Sequence, residues 1–320
     1  MRQLHRIAAF FLVCLSASIA NAADYPVRPI KWIVAYPPGG TTDVLARLMA
    51  QAITEKIGQQ VIVENKPGAG NNIGTEAVIN AAPDGYTMLL VNPANFINAT
   101  LYKNINFNFV RDIAPVAGIV RTPNVMVVSN SLPVKSVAEF SKYCKENPGK
   151  VNMASSGNGT STHLSGELFK FMTGCNMVHV PYKGAGPALI DLTAGQVQVF
   201  FDNLPSSVPH IKNGRIRALA VTSAAAEPSM PELPTVAATV TGYEATASFG
   251  IGMPRNTPPE VINKMNATVN QILAEPAMQA RLADLGGVTI PGTPAQFGKI
   301  IAGETEKWAK VINASGITLD

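Results

Sequence analysis

The 320-residue chain holds only three cysteines and four histidines. No cysteine and histidine spacing matches a zinc site. His163 and Glu167 share a helical face four residues apart, but no further cluster joins them, so no metal is expected. Charge is sparse too: 14% of residues are Asp, Glu, Lys or Arg, and the formal net charge is +4. No basic run offers a footing for nucleic acid or an anionic membrane. The nucleophile elbow G-x-S-x-G is missing. Gly68-Ala-Gly70-Asn-Asn-Ile-Gly74 lacks a P-loop lysine and misses the G-x-G-x-x-G spacing, so no nucleotide cofactor is expected. No internal repeat or low-complexity tract occurs. Ser161, His163 and Asp202 include the residue types of a hydrolase, which is the remote alternative. Ser161 and His163 lie only two apart at a helix start, however, and such side chains do not face each other.

One long apolar run is present, at the N-terminus. Arg2, His5 and Arg6 precede the stretch Ile7–Ile19, and Ala20-Asn21-Ala22 supplies an A-x-A signal. This reads as a secretory leader, residues 1–22, cleaved after Ala22. The run falls short of the roughly 20 residues of a membrane span, and nothing later in the chain approaches one. Export implies an oxidising compartment. Cys14 falls within the leader, so Cys144 and Cys175 remain. Each ends a predicted helix and leads into a predicted parallel strand, which makes a Cys144–Cys175 disulfide an expectation.

Beyond the leader, short apolar strands alternate with amphipathic helices, the pattern of an α/β fold with mostly parallel sheets. Strands are expected at residues 30–35, 61–64, 87–91, 124–128, 151–154, 177–180, 197–201, 217–221 and 249–253. Capping boxes open helices at Ser136–Glu139, Thr257–Glu260 and Thr293–Gln296.

Two strand-to-helix turns are rich in glycine and hydroxyls. The first is Tyr36-Pro37-Pro38-Gly39-Gly40-Thr41-Thr42-Asp43. The second is Ser155-Ser156-Gly157-Asn158-Gly159-Thr160-Ser161-Thr162-His163. Glycines let the backbone approach a ligand, and the free N–H groups of a helix start suit a carboxylate or phosphate. Asp43 fits a ligand hydroxyl or amine, but a structural role in the first helical turn, where it favours the dipole, is the preferred reading. Plain helix capping accounts for either turn alone; one such turn in each α/β half favours a facing pair.

In order and spacing the chain resembles the Bug-type periplasmic receptors of tripartite tricarboxylate transporters. The resemblance is carried by Tyr36–Asp43, Val63-Glu-Asn-Lys-Pro-Gly-Ala-Gly70, Ala82-Pro-Asp-Gly-Tyr86, Ser155–Thr160 and Val178-His-Val-Pro-Tyr-Lys-Gly184. It implies a two-domain Venus-flytrap fold of the type II periplasmic-binding-protein class, with the ligand in the cleft. One domain would hold residues 23–123 plus 246–320, the other residues 124–245. It implies capture of a small carboxylate by the two turns, with Tyr36 walling the pocket, and delivery to membrane permease subunits. The segment Asn92-Pro93-Ala94-Asn95-Phe96 falls where the family varies and where ligand contacts are common, and Asn95 and Phe96 would offer a polar group and a flat wall. Asp202 would reach the cleft and accept from a ligand ammonium or hydroxyl; an inter-domain hydrogen bond is its alternative. The expected protein is a periplasmic, monomeric binding protein and not an enzyme, with a periplasmic sensor feeding a signalling membrane protein as the runner-up.

Overall fold

The computed structural model describes residues 25–315. The expected leader and its cleavage point after Ala22 lie outside the described residues.

The chain opens with β1 (Ile30–Val34), α1 (Thr41–Ile57), β2 (Val61–Asn65), α2 (Asn72–Ile79), β3 (Thr87–Val91), α3 (Pro93–Leu101) and the short α4 (Phe109–Asp112). The long strand β4 (Ile113–Val128) leads to α5 (Val137–Glu146), β5 (Val151–Ser155), α6 (Ser161–Thr173), β6 (Met177–Pro181) and α7 (Ala185–Thr193). Next come β7 (Val199–Asn203), α8 (Leu204–Lys212) and β8 (Arg217–Val221). The chain then returns through β9 (Thr246–Pro254), α9 (Pro259–Leu273), α10 (Pro276–Asp284), β10 (Val288–Thr289) and α11 (Pro294–Ser315).

The strands run in the order β2-β1-β3-β9-β4-β7-β5-β6. Read inward from either edge, the order is second, first, third. The trio β2-β1-β3 is parallel and is closed by antiparallel β9. The trio β6-β5-β7 is parallel and is closed by antiparallel β4. Strand order therefore reverses at β1 and again at β5, and such switch points open a crevice beyond the carboxyl end of the strand. Both glycine-rich turns lie there.

Strand β4 serves both lobes. Its first part pairs with β9, and Asn124–Val128 pair with β7 and β8. At the changeover Thr222 ties the passing segments together. Its N–H donates to Asn124 O at 2.8 Å, and its carbonyl accepts from Ala245 N at 2.9 Å.

The core follows the two-residue period of strands. Ile30, Trp32 and Val34 face Leu45, Met49 and Ile53 of α1, while Ile33 packs on the other face with Leu89, Val91 and Phe297. In the second lobe Val125 and Val127 meet Leu189 and Leu192 of α7, while Met126 and Val128 join Phe140, Phe169 and Phe201. Trp308 and Ile312 of α11 join this second-lobe cluster.

The helix at Thr293 starts with the expected reciprocal box: Thr293 N donates to Gln296 Oε1 at 2.7 Å and Gln296 N to Thr293 Oγ1 at 3.2 Å. At Ser136 half the box forms; Glu139 N donates to Ser136 Oγ, and the Glu139 carboxylate takes Lys135 N instead. Thr257 does not cap α9 but donates its hydroxyl to Pro254 O at 2.8 Å.

The expected Cys144–Cys175 disulfide is not made. Both cysteines are buried free thiols. The parallel strands do bring the pair together, both thiols lying in one apolar cluster, with Cys175 Sγ donating to Ser141 O at 3.9 Å. That contact and the surrounding apolar packing account for the pair without a covalent bridge.

Candidate functional site

The first turn leaves β1 at Val34 and reaches α1 through Gly39, whose φ of +91° suits glycine. Asp43 holds this turn. Its carboxylate accepts Gly39 N at 3.1 Å, Arg47 Nε at 3.0 Å and Asn65 Nδ2 at 3.0 Å. Burial pushes the Asp43 carboxyl up, but those hydrogen bonds and the Arg47 charge outweigh it and leave the pKa below its ordinary value. With Gly40 at the N-cap, no side chain caps α1. Asp43 N donates to Gly40 O at 3.0 Å, and the Thr41 and Thr42 N–H groups are left unpaired among the described residues.

The second turn leaves β5 at Ser155. Thr160 caps α6, accepting His163 N at 3.2 Å and donating to Gly157 O at 2.8 Å. Thr162 Oγ1 accepts Ser156 N at 2.8 Å. Beneath the turn lie two stacked imidazoles, His163 and His179, with centroids 4.0 Å apart. His163 Nδ1 accepts Gly159 N at 3.4 Å, and His179 Nε2 meets Ser155 Oγ at 2.6 Å. Burial, the neighbouring His179 and Lys170 hold the His163 pKa at about 3. Burial and Lys170 hold that of His179 at about 4. Both rings are therefore neutral at pH 7, and a neutral Nδ1 is what accepts the Gly159 N–H.

The two turns meet at one cavity of about 30 Å³, space for about two waters. Tyr36, Gly40, Thr41 and Thr42 line it from the first lobe, and Ser156, Thr160, Ser161 and Thr162 from the second. A third strand end contributes Asn92, Pro93 and Ala94, the start of α3. Ala185, Asn203 and Phe249 complete the wall. No lining side chain carries a charge. The lobes touch around it: Thr41 Oγ1 donates to Ser206 Oγ at 3.0 Å, and Ser206 N donates to Thr41 Oγ1 at 3.2 Å.

Eight of the expected residues thus converge, namely Tyr36, Gly40, Thr41, Thr42, Ala94, Ser156, Thr160 and Ser161. The rest stand behind them. Gly39 and Asp43 shape the first turn, and Ser155, Gly157 and Gly159 the second. Asn95 does not face the cavity; its Oδ1 accepts Asn92 N at 2.9 Å and its Nδ2 donates to Thr75 Oγ1 at 2.8 Å. Phe96 is fully buried against Phe109, so the expected flat wall comes from Tyr36 and Phe249 instead. Asp202 is fully buried behind the cavity, where its Oδ2 accepts Ser206 and Ser207 hydroxyls. Burial lifts its pKa to about 7, with those serines and a backbone bond from Asn203 pulling down.

The sequence gives Asn92, Pro93, Thr162 and Asn203 only as members of the singled-out segments, not as lining residues, and it does not point to Ala185 or Phe249. Asn92-Pro93 carried a usable signal, a cap residue and a first-turn proline directly after a strand. Phe249, mid-strand, carried none.

Residues 45–317 match the family described as tripartite tricarboxylate transporter family receptor. The chain belongs to that family. The receptor is 36% identical to protein BugT of Bordetella pertussis over 99% of this chain and 98% of BugT. Among solved structures, R. palustris Rpa4515 with adipate superposes with a TM-score of 0.91 at 38% identity, covering 92% of this chain and 99% of that one. MatC from Rhodopseudomonas palustris with bound malate gives 0.85 at 28% identity, covering 90% and 100%. The receptor shares the two-domain periplasmic-binding-protein fold of these neighbours, and the family is one of solute-binding receptors. Among the described residues no helix is long and apolar enough to cross a membrane.

Proposed function

We propose that the receptor captures a small carboxylate between its lobes in the periplasm and delivers it to the permease subunits of a tripartite tricarboxylate-type transporter. The observation that carries this reading is the convergence of two helix starts, α1 and α6, on one uncharged cavity rich in hydroxyls. Each start offers unpaired N–H groups and the positive end of a helix dipole, worth on the order of 0.5–1 kcal/mol to an anion. A carboxylate touching both is held best when the lobes are shut, so it shifts the population toward closure. Neighbours of the same fold hold adipate and malate, which fits the reading.

The lobes divide as residues 23–123 with 246–320, and 124–245. Asn124, Thr222 and Ala245 meet at that division. The chain works as a monomer, and its leader is removed after Ala22. It performs no catalysis. The Ser155–His179 pair has the atoms of a hydrolase, yet Ser155 is fully buried and its Oγ accepts Gly157 N at 3.1 Å. It braces the turn.

A thermal-shift screen against carboxylates, with matched amides as controls, tests the reading. An acid present at 100 times its dissociation constant adds about 2.7 kcal/mol of stability, and its amide adds much less. Equal shifts for acids and amides would refute carboxylate recognition.

A further inference from the structure

Asp202, near the carboxyl end of β7, is fully buried, and no cation pairs with it among the described residues. Its Oδ2 lies 2.5 Å from Ser206 Oγ and 2.8 Å from Ser207 Oγ. Its Oδ1 is buried and meets no hydrogen-bond donor among the described residues. A bare carboxylate is costly in such a place.

Ser206 stands between Asp202 and the other lobe. Its Oγ lies 2.9 Å from Asn203 O and accepts the Thr41 hydroxyl at 3.0 Å, while its N–H donates to Thr41 Oγ1 at 3.2 Å. Thr41 lines the inner cavity at the start of α1. Ser206 thus has one hydroxyl hydrogen for two acceptors, Asp202 Oδ2 and Asn203 O. A proton on Asp202 Oδ2 removes the shortage. That proton goes to Ser206 Oγ, and the Ser206 hydrogen goes to Asn203 O. Ser206 Oγ then accepts from Asp202 and Thr41 on its two lone pairs.

We infer that Asp202 is a positioning residue for capture: as the lobes shut on a carboxylate, it takes up one proton from solvent, and its neutral carboxyl holds Ser206 against Thr41. The inference rests on the proposed carboxylate capture at the inner cavity. Opening withdraws Thr41, admits water to Ser206 and Asp202, and lets the carboxyl ionise.

In the shut form burial lifts the Asp202 pKa from 3.8 to about 7, against the pull of Ser206, Ser207 and Asn203, and no charged group contributes. The charges on the surrounding elements are engaged elsewhere. Asp43 on α1 is held by Gly39, Arg47 and Asn65. On α6, His163 accepts from Gly159, and Glu167 pairs with Lys170. Asp191 on α7 accepts the Tyr182 hydroxyl. Arg121 on β4 reaches Ser248, and Arg217 on β8 donates to Leu132 O and Val134 O. On α8, Lys212 is exposed, and burial and Arg215 hold His210 below its ordinary pKa. A carboxyl whose pKa rises on closure favours closure while protonated. Affinity therefore falls as pH rises from about 4 through about 7, and levels off above about 8.

Titration calorimetry on the exported chain tests this. Straight-chain monocarboxylates from acetate to octanoate, the matching dicarboxylates and malate are the probes. The tightest binder is followed from pH 6 to pH 8 in buffers of different ionisation enthalpy, with the parent and with D202N. The variant keeps a neutral group at the site and corrects for titration of the acid itself. Relative to D202N, the parent loses affinity about tenfold across this range. Its proton uptake per ligand is close to one at pH 6 and near zero at pH 8. At pH 8 the variant binds more tightly than the parent, by about tenfold or more. A purely structural Asp202 would give no such slope, and D202N would then only weaken binding. The buffer series on the parent needs no variant to fold. A parent that takes up no proton at pH 6, or a D202N with the parent's slope, would overturn the proton link while leaving carboxylate capture intact. Binding of no acid among the probes would overturn both.

Discussion

Single residues in the cleft separate into those that touch a ligand and those that permit closure. Gly159 belongs to the second kind. Its φ is +75°, and a Cβ there would lie 2.2 Å from Asn98 Oδ1 across the lobes. The left-handed backbone costs a non-glycine residue about 1–2 kcal/mol whether the lobes are open or shut. The clash arises only on closure. Gly159→Ala is therefore expected to lower the melting temperature and also to weaken carboxylate affinity, by about tenfold or more. Gly39→Ala, with φ of +91° but nothing within 4 Å, carries the strain without the clash and costs mainly stability. Calorimetry and thermal denaturation on both variants check the contrast, and equal affinity losses would contradict it. The sequence made such glycines visible as a class. It did not separate lining from bracing positions, because that depends on what faces them from the other lobe. Asp43 shows the same limit. A carboxylate in a ligand loop looks functional, yet its oxygens are taken by Gly39, Arg47 and Asn65. Phe96 shows it again: the rise of α3 turns Ala94 to the cleft and Phe96 to the core.

At the scale of elements, α6 and β6 hold the second binding turn through the histidine pair. His163 and His179 have pKa values near 3 and 4, below the ordinary 6.5. Groups with depressed base pKa values favour the fold while neutral. Their contribution is complete above about pH 6.5 and is lost as pH falls toward 4. Asp202 acts in the opposite sense. Its carboxyl, raised to about 7, binds a proton in the fold more readily than in the unfolded chain, so it favours the fold as pH falls from 7 toward 4. The histidine contribution is read by comparing variants. A chain with His163→Gln and His179→Gln is expected to be less stable at pH 7. It should lose less stability between pH 6.5 and 4 than the parent, by on the order of 3 kcal/mol. Urea midpoints across that range measure the difference, and parallel curves would exclude the pair as an acid-sensitive brace. Elements differ in how plainly the sequence announces them. The parallel strands with uniform apolar runs were legible to within a few residues, as was the Thr293 box. Helix α3 was not, because its reciprocal cap uses Asn92 and Asn95 in place of serine and glutamate. The first part of β4 hid behind Pro115, Gly118 and Pro123, which it accommodates with register shifts near Pro115 and Gly118. In α8, Pro205 and Pro209 obscure the helical period.

For the whole molecule, the question is what holds the lobes in the shut arrangement. Thr41 and Ser206 join them by two hydrogen bonds, at 3.0 and 3.2 Å, and Ser206 in turn bonds Asp202. Each such bond is worth roughly 0.5–1.5 kcal/mol, too little to bar opening, and enough to bias a two-state equilibrium that a ligand completes. The two hydroxyl oxygens lie close enough for cysteines at these positions to bridge after small adjustments. Thr41→Cys with Ser206→Cys is therefore expected to form a reducible clamp across the cleft. Oxidised before ligand is added, the clamped receptor should show no heat of binding, because about 30 Å³ of inner cavity admits no ligand without opening. Oxidised afterwards, it should retain the carboxylate through gel filtration. Reduction should restore binding in the first case and release in the second. Titration heats that persist in the clamped, ligand-free protein would mean that the acid enters without separation of the lobes. Closure would then play no part in capture.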